Sequence, residues 1–186
     1  LAGQPNQPLK LYALYREVAA ARGKPVPDPV DLFFPDLTKR LPKHDGMTAS
    51  GIDRAAALKS GRSRFMRGLL RWLRGDREGM REIHAATGII EEAEVIPSAR
   101  TFWWATRGLF EGVSAGALTD ELGVPRLCNR VERQIKRLID GVSPGVAERL
   151  QREILFNVAR AQPVTDTLRE IQSSLGLVGA IPETFE

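Results

Sequence analysis

The chain has 186 residues, of which 42% are hydrophobic and 27% are charged, and its formal net charge at pH 7 is +4. This composition is typical of a soluble globular protein and excludes a disordered chain, and the length suffices to bury a core without disulfides or metal ions. The only cysteine, Cys128, excludes an intrachain disulfide, and no apolar run is long enough to cross a membrane.

The N-terminus has neither a starting methionine nor the basic-then-apolar pattern of a signal peptide. We therefore expect a fragment of a longer, cytoplasmic protein. The mild positive charge favours acidic partners only weakly and identifies none of them.

The first predicted element is a helix from Leu9 to Arg22, which Gly23 ends. Residues 24–47 contain five prolines, a density that forbids a helix. Within this segment the run Leu32-Phe33-Phe34 is too apolar to face water, so we expect the loop to strap across the rest of the molecule.

Six further helices are predicted, with approximate ranges 50–74, 77–95, 97–113, 125–140, 144–160 and 164–175. Ser50 with Asp53, Asp76, and Ser143 before Pro144 are predicted to start three of them. Because the connections are short, neighbouring helices should be antiparallel. The predicted fold is an all-α, up-and-down bundle of about seven helices. We expect a single helical domain over residues 1–186, with 1–23 as an N-terminal extension, 24–47 as the strap and 48–182 as the bundle.

His84 is the one candidate for chemistry. The run from Met80 to Ile90 is similar to the His-x-x-Lys-Gly box of histidine phosphotransfer domains, with Gly88 in place and Thr87 where the lysine belongs. A glycine one turn along gives a partner access to the imidazole, and a lysine neutralises the phosphoryl charge. Helical periodicity puts the apolar residues of this helix on the opposite face, so His84 is predicted to be exposed.

Two features argue against phosphotransfer. Thr87 carries no charge, and Glu91 and Glu92 place negative charge along the helix, where an acidic receiver pocket would have to approach. We therefore predict that His84 is an ordinary surface histidine and keep the phosphoacceptor as the alternative.

Metal ions and cofactors are not expected. The other histidine, His44, falls in a predicted turn, and no cysteines or carboxylates cluster at ligand spacing.

A basic stripe is predicted on the second helix, where Arg64, Arg67, Arg71 and Arg74 recur at helical spacing. It indicates either a surface for nucleic acid or anionic membrane, or a solvated face paired with nearby carboxylates. The acidic residues close by favour the second interpretation. On the fifth helix, Glu132 and Lys136 are predicted to pair.

Aromatic residues concentrate at Phe102-Trp103-Trp104. Adjacent helical residues point about 100° apart, so all three cannot share one face. We predict that Trp104 anchors the core together with Leu109 and Phe110.

Several segments carry a resemblance to a known family. They cover residues 20–23, 32–37, 104–112, 131–141, 153–161, 168–177 and 180–182. They resemble the N-terminal, phosphotransfer-like region of CheA-type hybrid histidine kinases of type IV pilus chemosensory systems (the ChpA/PilL group) and the related FimL-like scaffold region. The resemblance implies a bundle related to phosphotransfer domains, in which His84 does not fall on the family's phosphoacceptor.

The function that the resemblance implies is a non-catalytic scaffold or docking module in two-component signalling for type IV pilus and twitching motility. The parent protein would be a histidine kinase. Its partners would be other domains of the same kinase, response regulators or pilus-signalling scaffold proteins. An active phosphotransfer domain on His84 and binding of nucleic acid or membrane through residues 62–77 are the alternatives.

Overall fold

A computed structural model describes residues 8–42, 53–118, 121–142, 145–182 and 185. Within these ranges the chain forms helices and no strand, which confirms the all-α prediction. The helices are α1 Tyr12–Ala21, α2 Arg54–Leu73, α3 Glu78–Ala93, α4 Pro97–Ser114, α5 Val124–Ile139, α6 Glu148–Arg160 and α7 Asp166–Ser174. A short 3-10 turn at Pro8–Leu11 precedes α1, and another at Pro29–Leu32 lies in the strap.

Side-chain caps fix several helix starts. Asp53 is itself the N-cap of α2, with its carboxylate accepting from the Ala56 N–H at 3.1 Å, rather than the third residue of a capping box. Asp76 accepts from the N–H of Glu78 and so caps the first turn of α3. Helix α4 begins at Pro97, where a missing N–H costs nothing. The other predicted starts, Ser50 and Ser143-Pro144, lie outside the described residues, as does His44.

Helices α2 and α3 pack antiparallel at very short range. A Cβ added to Gly68 would lie 2.7 Å from the carbonyl oxygen of Gly79, and Gly61 faces Ile90 further along. Only glycine lets two helix backbones approach this closely. Helix α4 also packs on α3 and is antiparallel to it, since Arg107 reaches Glu91 while Glu111 and His84 line one groove.

The later helices do not continue in simple sequential order. Helix α5 packs mainly on α2, whereas α6 and α7 both pack on α4. Helix α4 is therefore enclosed by α3, α6 and α7. For this reason Phe102, Trp103 and Trp104 are all buried, with at most 5% of each exposed. The prediction for Trp104, Leu109 and Phe110 is correct, but Phe102 and Trp103 belong to the core as well.

The described part of the strap, residues 24–42, lies against α6 and α4. Phe33 is buried with its ring centroid 5.5 Å from that of Phe156, and the Leu41 N–H donates to Thr101 Oγ1 at 2.8 Å. Phe34 departs from the prediction because it is 62% exposed, with the Arg152 guanidinium over its ring.

Helix α1 is attached loosely. Its apolar stripe, formed by Leu14, Tyr15 and Val18 with the preceding Leu11, faces outward, and only Ala19 of the helix is buried. None of the helices in the described ranges is long and apolar enough to cross a membrane.

Candidate functional site

His84 lies in the middle of α3 at the edge of a groove that Arg81, Glu111, Ser114 and other residues line. The side chain is half-buried rather than exposed, and its Nε2 is buried without a hydrogen-bond partner. Burial lowers the pKa of His84, the positive charge of Arg107 lowers it further, and Glu111 opposes both. Burial therefore favours the neutral imidazole, and one of its two nitrogens is closed to solvent.

Thr87 occupies the position of the missing lysine, and its side chain points into the core. It is completely buried, and its hydroxyl donates to the carbonyl oxygen of Ile83 at 2.8 Å. A lysine here would have to place its ammonium group among apolar side chains, which is strongly unfavourable. This site therefore lacks the cation of a phosphotransfer box for a structural reason as well as a chemical one.

The approach past Gly88 is also occupied. The stem of Arg107 lies beside Gly88, so that a Cβ added there would be 3.4 Å from Arg107 Cδ. The guanidinium of Arg107 pairs with Glu91. The sequence predicts that Glu91 faces solvent, but the carboxylate is buried. In a phosphotransfer box this face would be open to the partner, whereas here it forms part of the contact between α3 and α4.

Half of the arginine stripe of α2 is paired within the molecule. Arg67 and Arg71 both contact Glu82 of α3, and Arg71 also contacts Asp76 at 2.6 Å. Arg64 and Arg74 have no ion pair within the described ranges. The two central arginines are thus compensated by acidic residues that the sequence places nearby.

The Glu132–Lys136 pair predicted within α5 does not form. Glu132 pairs instead with Arg62 of α2, at 2.6 Å, and Lys136 with Asp140, at 2.7 Å. The contact with Arg62 joins two helices that pack together, and that packing decides the partner of Glu132.

A second basic surface was not predicted. Arg130, Arg133 and Arg137 of α5 line a groove together with Arg149 of α6. The other lining residues are Gln134, Ala147, Leu150 and Glu153. The spacing of three and four along α5, which Arg126 continues by one more turn, is the same signal that marks the stripe on α2. We call this surface the α5–α6 groove.

Few carboxylates lie in the α5–α6 groove. Arg130 pairs with Glu153, and Arg149 pairs with Asp28 and Asp31 of the strap. Neither Arg133 nor Arg137, both exposed, has an ion pair among the residues that the structure describes. The groove therefore keeps uncompensated positive charge at its rim.

Other reactive groups are closed off. Burial raises the pKa of the Cys128 thiol to about 12, so the thiol stays protonated and unreactive in the folded protein. Within the described ranges no group of three or more His, Cys, Asp or Glu residues is placed to hold a metal ion.

Comparison with known proteins identifies a matching family. The family model described as FimL scaffold protein second domain matches residues 50–186. No curated protein and no solved structure matches the chain. The matched residues include α2 to α7 and therefore both basic surfaces and His84. Because this match covers well over half of the chain, the chain belongs to the family of FimL scaffold second domains.

Proposed function

We propose that the chain is a non-catalytic, phosphotransfer-like docking module in a two-component signalling pathway that controls type IV pilus and twitching motility. It would act in the cytoplasm, within or beside a chemotaxis-type histidine kinase. Its partners would be other domains of that kinase, response regulators or further scaffold proteins. Membership of a scaffold family supports a role in binding other proteins.

The burial of Thr87 is the observation that carries the non-catalytic part of the proposal. Phosphoryl transfer to a histidine needs an accessible imidazole nitrogen and positive charge beside it. Thr87 occupies the position of the lysine and is buried in the core, and His84 Nε2 is buried as well. The groove beside His84 also contains Glu111, whose charge opposes an incoming phosphoryl group.

A phosphotransfer assay tests this proposal. The full chain is incubated with an active CheA-type kinase core and radiolabelled ATP, and a competent phosphotransfer domain in a parallel reaction serves as the positive control. We expect label on the control and none on this chain. Acid-labile label that disappears in the variant His84→Gln would overturn the proposal.

An active phosphotransfer module on His84 is the second candidate. Arg81 lines the groove beside the imidazole, and Arg107 is close enough to lower its pKa, so either guanidinium would be a substitute for the missing lysine. Arg107 is already paired with Glu91, which reduces what it offers an incoming phosphoryl group. In the same assay, this candidate predicts label that Arg81→Gln reduces and His84→Gln abolishes.

Binding of nucleic acid or anionic membrane through α2 is a third candidate. Arg64 and Arg74 of the stripe lack carboxylate partners in the described part of the chain, but the paired Arg67 and Arg71 lie between them, so the stripe does not present adjacent free charges. Affinity for DNA or anionic vesicles that falls steeply with salt, and that Arg64→Gln with Arg74→Gln abolishes, would support it.

A further inference from the structure

We propose that the α5–α6 groove is a docking site for an acidic amphipathic segment of a partner protein, with Arg133 and Arg137 binding its carboxylates. The proposal rests on the scaffold role above and names the surface and the chemistry of the partner. It follows from the charges at the rim of the groove, from the residues on its floor and from the shape between the two helices.

The charges at the rim come first. Three arginines of α5 and one of α6 line the groove, against a single carboxylate, Glu153, in the lining itself. Glu153 is engaged by Arg130, and the strap engages Arg149. Arg133 and Arg137 thus project into solvent one turn apart, with no ion pair among the described residues. Guanidinium groups bind carboxylates in a bidentate geometry, so this pair fits acidic side chains spaced by one helical turn.

The floor of the groove favours a protein segment over a nucleic acid. The buried lining residues are Leu150, which is 7% exposed, and Gln134, whose amide is already bonded to the carbonyl oxygen of Gly145. An apolar side chain of a partner can rest against Leu150 and the arginine stems. None of the described residues that line the groove is aromatic, so they offer bases nothing to stack on.

The shape of the groove also distinguishes the partner. It is a recess between two helices rather than a protruding surface, which suits a helix laid along it and does not suit a flat bilayer. Such a helix would present carboxylates toward Arg133 and Arg137 and apolar residues toward Leu150.

The experiment measures fluorescence anisotropy of a labelled synthetic helical peptide of about 18 residues, or five turns, with glutamates on one face and leucines on the other. It uses the full chain and the double variant Arg133→Glu/Arg137→Glu. The matched control is Arg64→Glu/Arg74→Glu, which makes the same change in net charge at two α2 arginines that also lack ion pairs where the structure describes the chain. Circular dichroism verifies that each variant is folded, and Arg133→Gln/Arg137→Gln replaces the charge reversal if it is not.

We expect the groove variant to bind the peptide at least about tenfold more weakly than wild type, and the control to stay within about twofold. Wild-type binding should weaken as salt increases. The proposal is overturned if wild type does not bind the peptide, or if both variants weaken binding equally. It is also overturned if a labelled DNA duplex or phosphatidylserine vesicles bind more tightly than the peptide and lose binding in the groove variant.

These outcomes are separate from those of the phosphotransfer assay. Failure of peptide binding removes the α5–α6 groove as a docking site and leaves a non-catalytic scaffold intact. Phosphorylation of His84 removes the non-catalytic role and leaves peptide binding at the groove unaffected.

Discussion

The arginine stripes of α2 and α5 look alike in the sequence and differ in the folded protein. On α2, the glycine contacts bring α3 so close that Glu82 reaches both Arg67 and Arg71. On α5, the neighbouring α6 stands further away and leaves a groove, so Arg133 and Arg137 meet no carboxylate in the described residues. The distance to the next helix, rather than the number of arginines, decides which arginines of each stripe are available to a partner.

The close contact between α2 and α3 can be disrupted at Gly79. In Gly79→Ala the new methyl group would collide with the Gly68 carbonyl oxygen and the Trp72 backbone, neither of which can move aside. We expect a loss of about 2–3 kcal/mol in the free energy of unfolding and a fall in melting temperature of about 5–10 °C. Thermal unfolding followed by circular dichroism measures both.

Gly88→Ala is the matched control for that substitution. Its methyl group would meet only the flexible stem of Arg107, at 3.4 Å, and alanine favours the helix by up to about 1 kcal/mol. We expect unchanged or slightly higher stability. If Gly79→Ala proves as harmless as Gly88→Ala, the close approach of α2 and α3 is wrong.

The ion pairs between α2 and α3 should also affect how the stability of the protein depends on pH. Hydrogen bonds from Arg67 and then Arg71 hold the pKa of Glu82 below its ordinary value of 4.5. The stabilisation is therefore present above that value and is lost as the pH falls through the lowered pKa. We expect the melting temperature of wild type to fall more steeply below about pH 4.5 than that of Glu82→Gln.

Glu92→Gln is the reference for this comparison, because Glu92 is an exposed carboxylate on the same helix with no ion pair in the described ranges. It should follow the wild-type curve. Identical curves for Glu82→Gln and wild type would show that the pairing on α2 contributes nothing to stability.

The availability of the α5–α6 groove can be tested at Glu153. Replacing Glu153 by Gln removes the one carboxylate among the described residues that line the α5–α6 groove, and it frees Arg130. We expect the acidic peptide to bind about two- to fivefold more tightly, as measured by anisotropy. Glu170→Gln, which makes the same change in charge on α7, should leave the affinity unchanged. Equal gains in both variants would indicate that only net charge matters.

The smallest effect is expected at a third contact, the one between α3 and α4. Burial is the main reason why the pKa of His84 lies below 6.5, and the positive charge of Arg107 lowers it further. Glu111 acts in the opposite direction. The folded protein should therefore lose a little stability as the pH falls from 7 through the lowered pKa, because the unfolded chain takes up the proton more readily. His84→Gln should remove this decrease. An NMR titration that gives His84 a pKa at or above 6.5 would contradict it.

Helix positions were predictable because their signals are local. Asp76, Pro97 and Gly75 act on backbone groups within one turn, and the observed bounds of α3 to α5 lie within about two residues of the prediction. The partners of side chains were less predictable. Periodicity places Thr87 beside the apolar face of α3 and leaves open whether a neighbouring helix covers it.

The sequence by itself determined the all-α class, the order of the helices and the resemblance to a scaffold family, since these depend on propensity, capping and composition. Only the tertiary structure decided that α4 is enclosed on several sides, that Glu132 joins α5 to α2, and which arginines stay free. Those outcomes depend on how closely two helices approach, and that distance is set by glycines such as Gly68 and Gly79, which meet only after folding.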